Sequence, residues 1–151
     1  MKKFELTAES KINIFRKKLF RIKALISFGD VEEGETGGWI EKEENLEQSS
    51  GDAWVYGNAE VYGNARVSGN ARVSGNADYT TIHGFGTQFR TTTFFQCEDK
   101  QIRVSCGCFL GTIPEFREQV KNTREGKIAE EYLMIADLME KHFVKEKESG
   151  E

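Results

Sequence analysis

The chain is poor in several residue types that would otherwise suggest a class: one proline, three cysteines and two histidines in 151 residues. An odd count of three thiols argues against a disulfide framework, so the expected compartment is a reducing cytoplasm. No apolar run approaches the roughly 18 residues that a bilayer span requires. The N-terminal Met1-Lys2-Lys3-Phe4-Glu5 also lacks the apolar stretch of a secretory signal, and both observations argue against membrane and export readings. The sequence carries no carboxylate pair, nucleophile elbow or His-rich cluster at a diagnostic spacing.

What is plentiful is glycine, at 15 residues. Disordered and collagen-like chains that are rich in glycine are normally rich in proline too, so these glycines are expected to serve a regular structure. The length suits one small domain, or two sub-domains sharing a core. Charge is unevenly spread: residues 1–23 carry eight Lys or Arg against two Glu, and residues 24–53 carry one Lys against nine acids. A basic arm followed by an acidic belt suggests two solvated surfaces that attract each other within one fold. The sharper alternative, nucleic-acid binding through Lys2, Lys3, Lys11, Arg16, Lys17 and Lys18, would need the acidic belt on another face, and nucleic acid is not the expected partner.

From Ala53 the chain repeats with a period of six: Ala-Trp-Val-Tyr-Gly-Asn, Ala-Glu-Val-Tyr-Gly-Asn, then Ala-Arg-Val-Ser-Gly-Asn twice, and Ala-Asp-Tyr. Ala53, Ala59, Ala65, Ala71 and Ala77 share one phase, and Val55, Val61, Val67 and Val73 another. Period six fits neither a 3.6-residue helix nor an alternating hairpin; it fits short strands joined by turns in a triangular coil. Ala and Val, two apart, point inward and the residue between them points out. Gly57, Gly63, Gly69 and Gly75, each followed by Asn, fall at corners that call for positive φ.

This pattern resembles the hexapeptide-repeat left-handed β-helix in its Gly-Asn-Ala variant, over about 27 of the 151 residues. In that family three hexads make one coil, so the repeat supplies only about one and a half coils and its open edges need covering. Stacking coil on coil would place Trp54 beside Arg72, Tyr56 beside Ser74, and Glu60 beside Asp78. Trp54, Tyr56 and Tyr62 would then form an outward aromatic patch suited to an interface or a binding surface.

The flanks read as strands and helices. Leu19–Leu25 is a strand, and Arg90–Cys97 with Gln101–Cys106 is a hairpin turning at Glu98-Asp99-Lys100. Thr112-Ile113-Pro114-Glu115 is a capping box, so a helix should start at Ile113. A second helix should run from about Lys127 to Phe143. The expected fold is therefore mainly β with C-terminal helices (α+β): a short left-handed β-helix of hexapeptide repeats flanked by an N-terminal β segment and by a C-terminal β-hairpin plus two helices. Its parts are residues 1–36, the β-helix at 37–86, the hairpin and helices at 87–145, and a frayed tail at 146–151.

The Phe20-Arg21-Ile22-Lys23-Ala24-Leu25 start, Gly37-Gly38-Trp39-Ile40, the hexads, and the Ser105-Cys106-Gly107-Cys108-Phe109 to Ile113 end together resemble small proteins encoded by phages and prophages. That resemblance implies the cytoplasm of a bacterial host. It brings no catalytic residues.

Candidate chemistry sits in three places. Cys97, Cys106, Cys108 and His83 could form a zinc set, but one residue between Cys106 and Cys108 is shorter than the usual spacing, and small buried thiols are the expectation. No metal or cofactor is expected. Gly107 to Thr112, ahead of a helix, could receive an anion, although it matches no phosphate-binding spacing. The Gly-containing segment from His83 to Arg90, followed by Thr91 and Thr92, could close over a polar ligand.

Three functions compete. A hexapeptide-type acyltransferase would need a catalytic His on an extruded loop, and the hexads carry none. A structural or scaffolding phage accessory protein would use the open edges for assembly. The reading carried forward is a non-catalytic homo-oligomer that binds a small nucleotide-like anion and sequesters a host nucleotide-derived immune signal. The expected ligand-binding residues are Trp54, Tyr56, Tyr62, Arg66, Arg72, His83, Arg90, Thr91 and Thr92, side chains that stack on bases or pair with phosphates.

Overall fold

The computed structural model describes residues 2–49, 51–75, 78–87, 90–106 and 109–143. Ala77 of the repeat, Gly107, Cys108 and the 146–151 tail lie outside the described residues. Two sheets of four strands and one parallel strand pair are followed by two helices.

Strands β1 (Phe4–Ile12), β2 (Lys18–Ala24) and β3 (Thr36–Ile40) pair antiparallel in sequence order. In β2, Ile22 and Ala24, two apart, point to one face and bury against the repeat, with polar Arg21 and Lys23 on the other side of the pleat. The repeat contributes only two-residue strands: β4 (Trp54–Val55), β5 (Glu60–Val61) and β6 (Arg72–Val73). Strand β5 joins the first sheet, parallel to β3, with Ile40 opposite Val61; β4 and β6 pair with each other, with Val55 opposite Val73.

The expected left-handed β-helix is therefore corrected. The described chain is a mainly β structure of several, largely antiparallel sheets with two C-terminal helices, and no closed or solenoid β-helix is found in it. The offset between facing residues explains why. Ile40 faces Val61 and Leu46 faces Val67, 21 residues on, whereas Val55 faces Val73, 18 residues on. With no constant coil length and so few hexads, the repeat's edges pair with the antiparallel strands that flank it. The corner expectation is also only partly met: φ is positive at Gly57, Gly63 and Gly69, but not at Gly75.

The inward phases are as the period requires. Ala53, Val55, Ala59, Val61, Ala65, Val67, Ala71 and Val73 are all at most 2% exposed and merge with Phe4, Ile22, Ile40, Leu46 and Phe95 in one core. Gly37 contributes by close approach: a Cβ there would stand 2.6 Å from the Trp54 ring. Buried Asn45 fastens the segment before the repeat to the repeat itself. Its carbonyl accepts from the Glu41 and Lys42 N–H groups, and its amide donates to the Gly63 and Ala65 carbonyls.

The second sheet is antiparallel, in the order β10 (Phe109–Thr112), β9 (Ile102–Cys106), β8 (Arg90–Gln96), β7 (Tyr79–Phe85). It is a wall shared by two cores: Phe95 packs into the repeat core, and its neighbour Phe94 into a second core against the helices. Helix α1 (Ile113–Thr123) starts at the expected capping box, where the Glu115 N–H donates to Thr112 Oγ1 and the Thr112 N–H to Glu115 Oε1. Helix α2 (Gly126–Phe143) lays Tyr132, Ile135, Ala136 and Met139 on the same core.

Candidate functional site

The bulged end of β7 and the start of β8 meet the junction of the two helices. Phe85 is opposite Arg90 in the β7–β8 register, Arg124 caps the C-terminus of α1, and Tyr132 lies one and a half turns into α2. Together with Gly86 and Thr87 these residues line an open pocket of about 200 Å³. Gly86 is needed at that wall, because its φ is +80° and a Cβ would stand 2.6 Å from the Tyr132 hydroxyl.

Tyr132 is 4% exposed and its ring meets Phe116 edge to face, with centroids 5.8 Å apart. Burial pushes its phenol above the ordinary value, while the positive charges of Arg124 and Arg90 act in the opposite direction. The phenol thus stays protonated at neutral pH and is a hydrogen-bond donor beside two guanidinium groups. Donors of this kind suit a carboxylate or phosphate.

The other expected ligand residues are dispersed. His83 accompanies Thr91 on neighbouring strands, Nδ1 and Oγ1 2.9 Å apart, and is not among the residues lining the pocket. Thr92 is 2% exposed and donates to the Cys106 sulfur at 3.2 Å, so its hydroxyl is engaged within the sheet. Arg66 is exposed on the far side of β8, in a depression it shares with Glu44 and Glu47, whose charges oppose an anion. Tyr62 lies over Phe15, in a groove with Tyr79, Thr80 and Thr81.

The outward aromatic patch is not formed. Trp54 is fully buried between Phe4 and Phe28, with ring centroids 6.3 and 5.3 Å away, so it is a core residue and cannot meet a ligand from solvent. Its backbone does lie opposite Arg72, but the Arg72 guanidinium stacks on Tyr56, 4.7 Å from the ring centroid. Asp30 closes that cluster, accepting from Tyr56 Oη at 3.0 Å and from Arg72 Nη1 at 3.0 Å. The guanidinium holds the Asp30 carboxyl below its usual value, and burial, then Asp30, push the Tyr56 phenol up to about 12. Arg72 and Tyr56 thus have each other and Asp30 as partners.

Among the described residues no three potential metal ligands converge. Cys97 is 1% exposed beside the repeat core, Cys106 faces Thr92, and Cys108 lies outside the described residues. At the start of α1 the Glu115 carboxylate takes the Thr112 N–H, the Thr112 hydroxyl takes the Glu115 N–H and Pro114 has none to offer, and the carboxylate adds negative charge where an anion would have to sit. No family model matches the chain, and no curated protein matches it significantly in sequence.

Sequence reasoning missed Arg124 and Tyr132. Arg124 sits in a two-residue break between helices, and Tyr132 looks like any apolar position of a helix face. No local spacing links either to Arg90. No helix among the described residues is long and apolar enough to cross a membrane.

Proposed function

We propose that this protein binds a small anionic, nucleotide-like ligand without turning it over, in the pocket bounded by Phe85, Arg90, Arg124 and Tyr132. The observation that carries this reading is the convergence of two arginines and a buried, protonated tyrosine on one pocket of about 200 Å³. The arginines pair with phosphate, Tyr132 donates a hydrogen bond, and Phe85 offers a ring for a base or sugar. The volume lies below the roughly 300 Å³ at which drug-sized sites begin, so a phosphate and its sugar fill it and a larger ligand projects outward. Binding, not catalysis, is favoured because the polar side chains among the described lining residues are two guanidinium groups, the Thr87 hydroxyl and a phenol that keeps its proton, none of them a base at neutral pH. In a phage-encoded chain, as the repeat and its flanks suggest, such binding serves to sequester a host nucleotide-derived immune signal. A structural or scaffolding role is the second reading, favoured by Ile12, Ile14 and Phe15, which are 70%, 89% and 63% exposed at the β1–β2 turn.

Calorimetry with inorganic pyrophosphate and a panel of linear and cyclic nucleotides tests the first reading. Binding that Arg90→Ala and Arg124→Ala each weaken by roughly tenfold or more, with intact ligand recovered after heat denaturation, supports it. Altered ligand makes the protein an enzyme. No binding across the panel removes the reading and leaves the structural one ahead.

A further inference from the structure

Helix α2 buries one face and leaves a second, ordered stripe in solvent. Lys127, Glu131, Met134, Leu138 and Lys141 follow one another at spacings of four, three, four and three residues, the spacing of a coiled-coil seam. Met134 and Leu138 are 69% and 55% exposed, large apolar side chains one turn apart on an otherwise charged surface. The buried residues of α2, Tyr132, Ile135, Ala136 and Met139, belong to the opposite side. The flank toward α1 is closed by Arg117, which binds Asp137 at 2.8 Å and Glu140 at 3.0 Å. The stripe is therefore separate from the contacts that fold the domain.

The order of residues in the stripe decides what can cover it. A second α2 laid antiparallel about a twofold axis near residue 136 sets Met134 against Leu138 of the other copy, and Leu138 against Met134. The same register sets Glu131 against Lys141 of the other copy, twice over. Each layer is then apolar on apolar or acid on base, in the pairing that antiparallel seams use. A parallel arrangement would put Glu131 against Glu131 and Lys141 against Lys141, which like-charge repulsion disfavours. The stripe is self-complementary in one orientation only.

We propose that α2 is a homodimer interface, antiparallel about a twofold axis, with Met134 and Leu138 as its apolar centre and Glu131–Lys141 pairs at both ends. This does not rest on the ligand reading, since Tyr132 belongs to the buried side of the helix and none of the stripe residues lines the pocket. The seam has only two apolar layers, so the dimer is expected to be weak and dependent on concentration.

Sedimentation equilibrium over a range of concentrations tests it, with circular dichroism to confirm that each variant is folded. The wild-type chain should show a monomer–dimer equilibrium. Glu131→Lys and Lys141→Glu should each weaken it by roughly tenfold, and the double exchange should restore it, because the charges are then swapped on both sides. Met134→Lys should abolish it. A wild-type chain that stays monomeric, an oligomer indifferent to these variants, or a double exchange that fails to restore the dimer would each overturn the proposal.

Discussion

The ammonium of Lys3 donates to the carbonyl of Ala53 at 2.9 Å, from a side chain in a residue only 2% exposed. It also sits 4.6 Å from the centroid of the Phe28 ring. Burial pulls its pKa down to about 8, against the opposing attraction of the Glu47 and Asp52 carboxylates. The folded value lies below the unfolded one of about 10.4, so between them the unfolded chain binds more protons and stability rises with pH. The Cys97 thiol, raised from an ordinary value of 9.0, acts in the opposite sense within the same interval, and the Tyr56 phenol does so at higher pH. Urea denaturation should therefore give a net gain below about 1 kcal/mol between about pH 8 and 9, rising to about 1 kcal/mol in a Cys97→Ala background. Lys3→Met should flatten that rise, and a wild-type curve that falls over this interval would contradict the assignment.

Asn45 ties four backbone groups of two segments through one buried amide. Removing it leaves two N–H and two carbonyl groups without that partner, the Ala65 carbonyl in a buried place and the other three in partly buried ones. Asn45→Ala should cost about 3 kcal/mol, read as a lower urea midpoint with an unchanged slope. A loss below about 1 kcal/mol would mean that water replaces the amide.

Gly86→Ala meets two obstacles, a φ of +80° and the Tyr132 hydroxyl. It should destabilise by about 1 to 2 kcal/mol and also weaken anion binding, because Tyr132 must move. Adding Tyr132→Phe, which removes the hydroxyl, should recover part of the stability but not the binding. A double-mutant cycle in which the two changes are additive would break the link between these residues.

Arg72→Ala should leave anion binding unchanged, because the guanidinium is committed to Asp30 and Tyr56 on a different part of the surface. The cluster is solvent-exposed, so the stability loss should stay below about 1 kcal/mol. Calorimetry that finds Arg72→Ala as damaging as Arg124→Ala would move the site to the repeat face.

The local elements were largely legible. The Thr112-Ile113-Pro114-Glu115 box starts α1 where the sequence places it, and the hairpin strands agree with β8 and β9 to within a residue or so. Strand β7 was not foreseen: Tyr79–Phe85 contains threonine, histidine and glycine and looks like a loop until β8 lies beside it. Trp54 was misplaced for a similar reason. Its position between two inward residues points it away from the repeat's own axis, and only the sheet of Ile22 and the rings of Phe4 and Phe28 enclose it from outside.

By itself, the scarcity of proline beside abundant glycine, with a six-residue period, determined which residues face inward. Side-chain alternation is a local property of extended backbone, and the Ala and Val phases obey it. Tertiary structure decided how the short strands find partners, because two-residue strands with open edges accept whichever backbone is nearest. It also decided where charge converges. Arg90, Arg124 and Tyr132 come from a strand, a helix end and a second helix, and only the packing of α1 and α2 on the sheet brings them to one pocket.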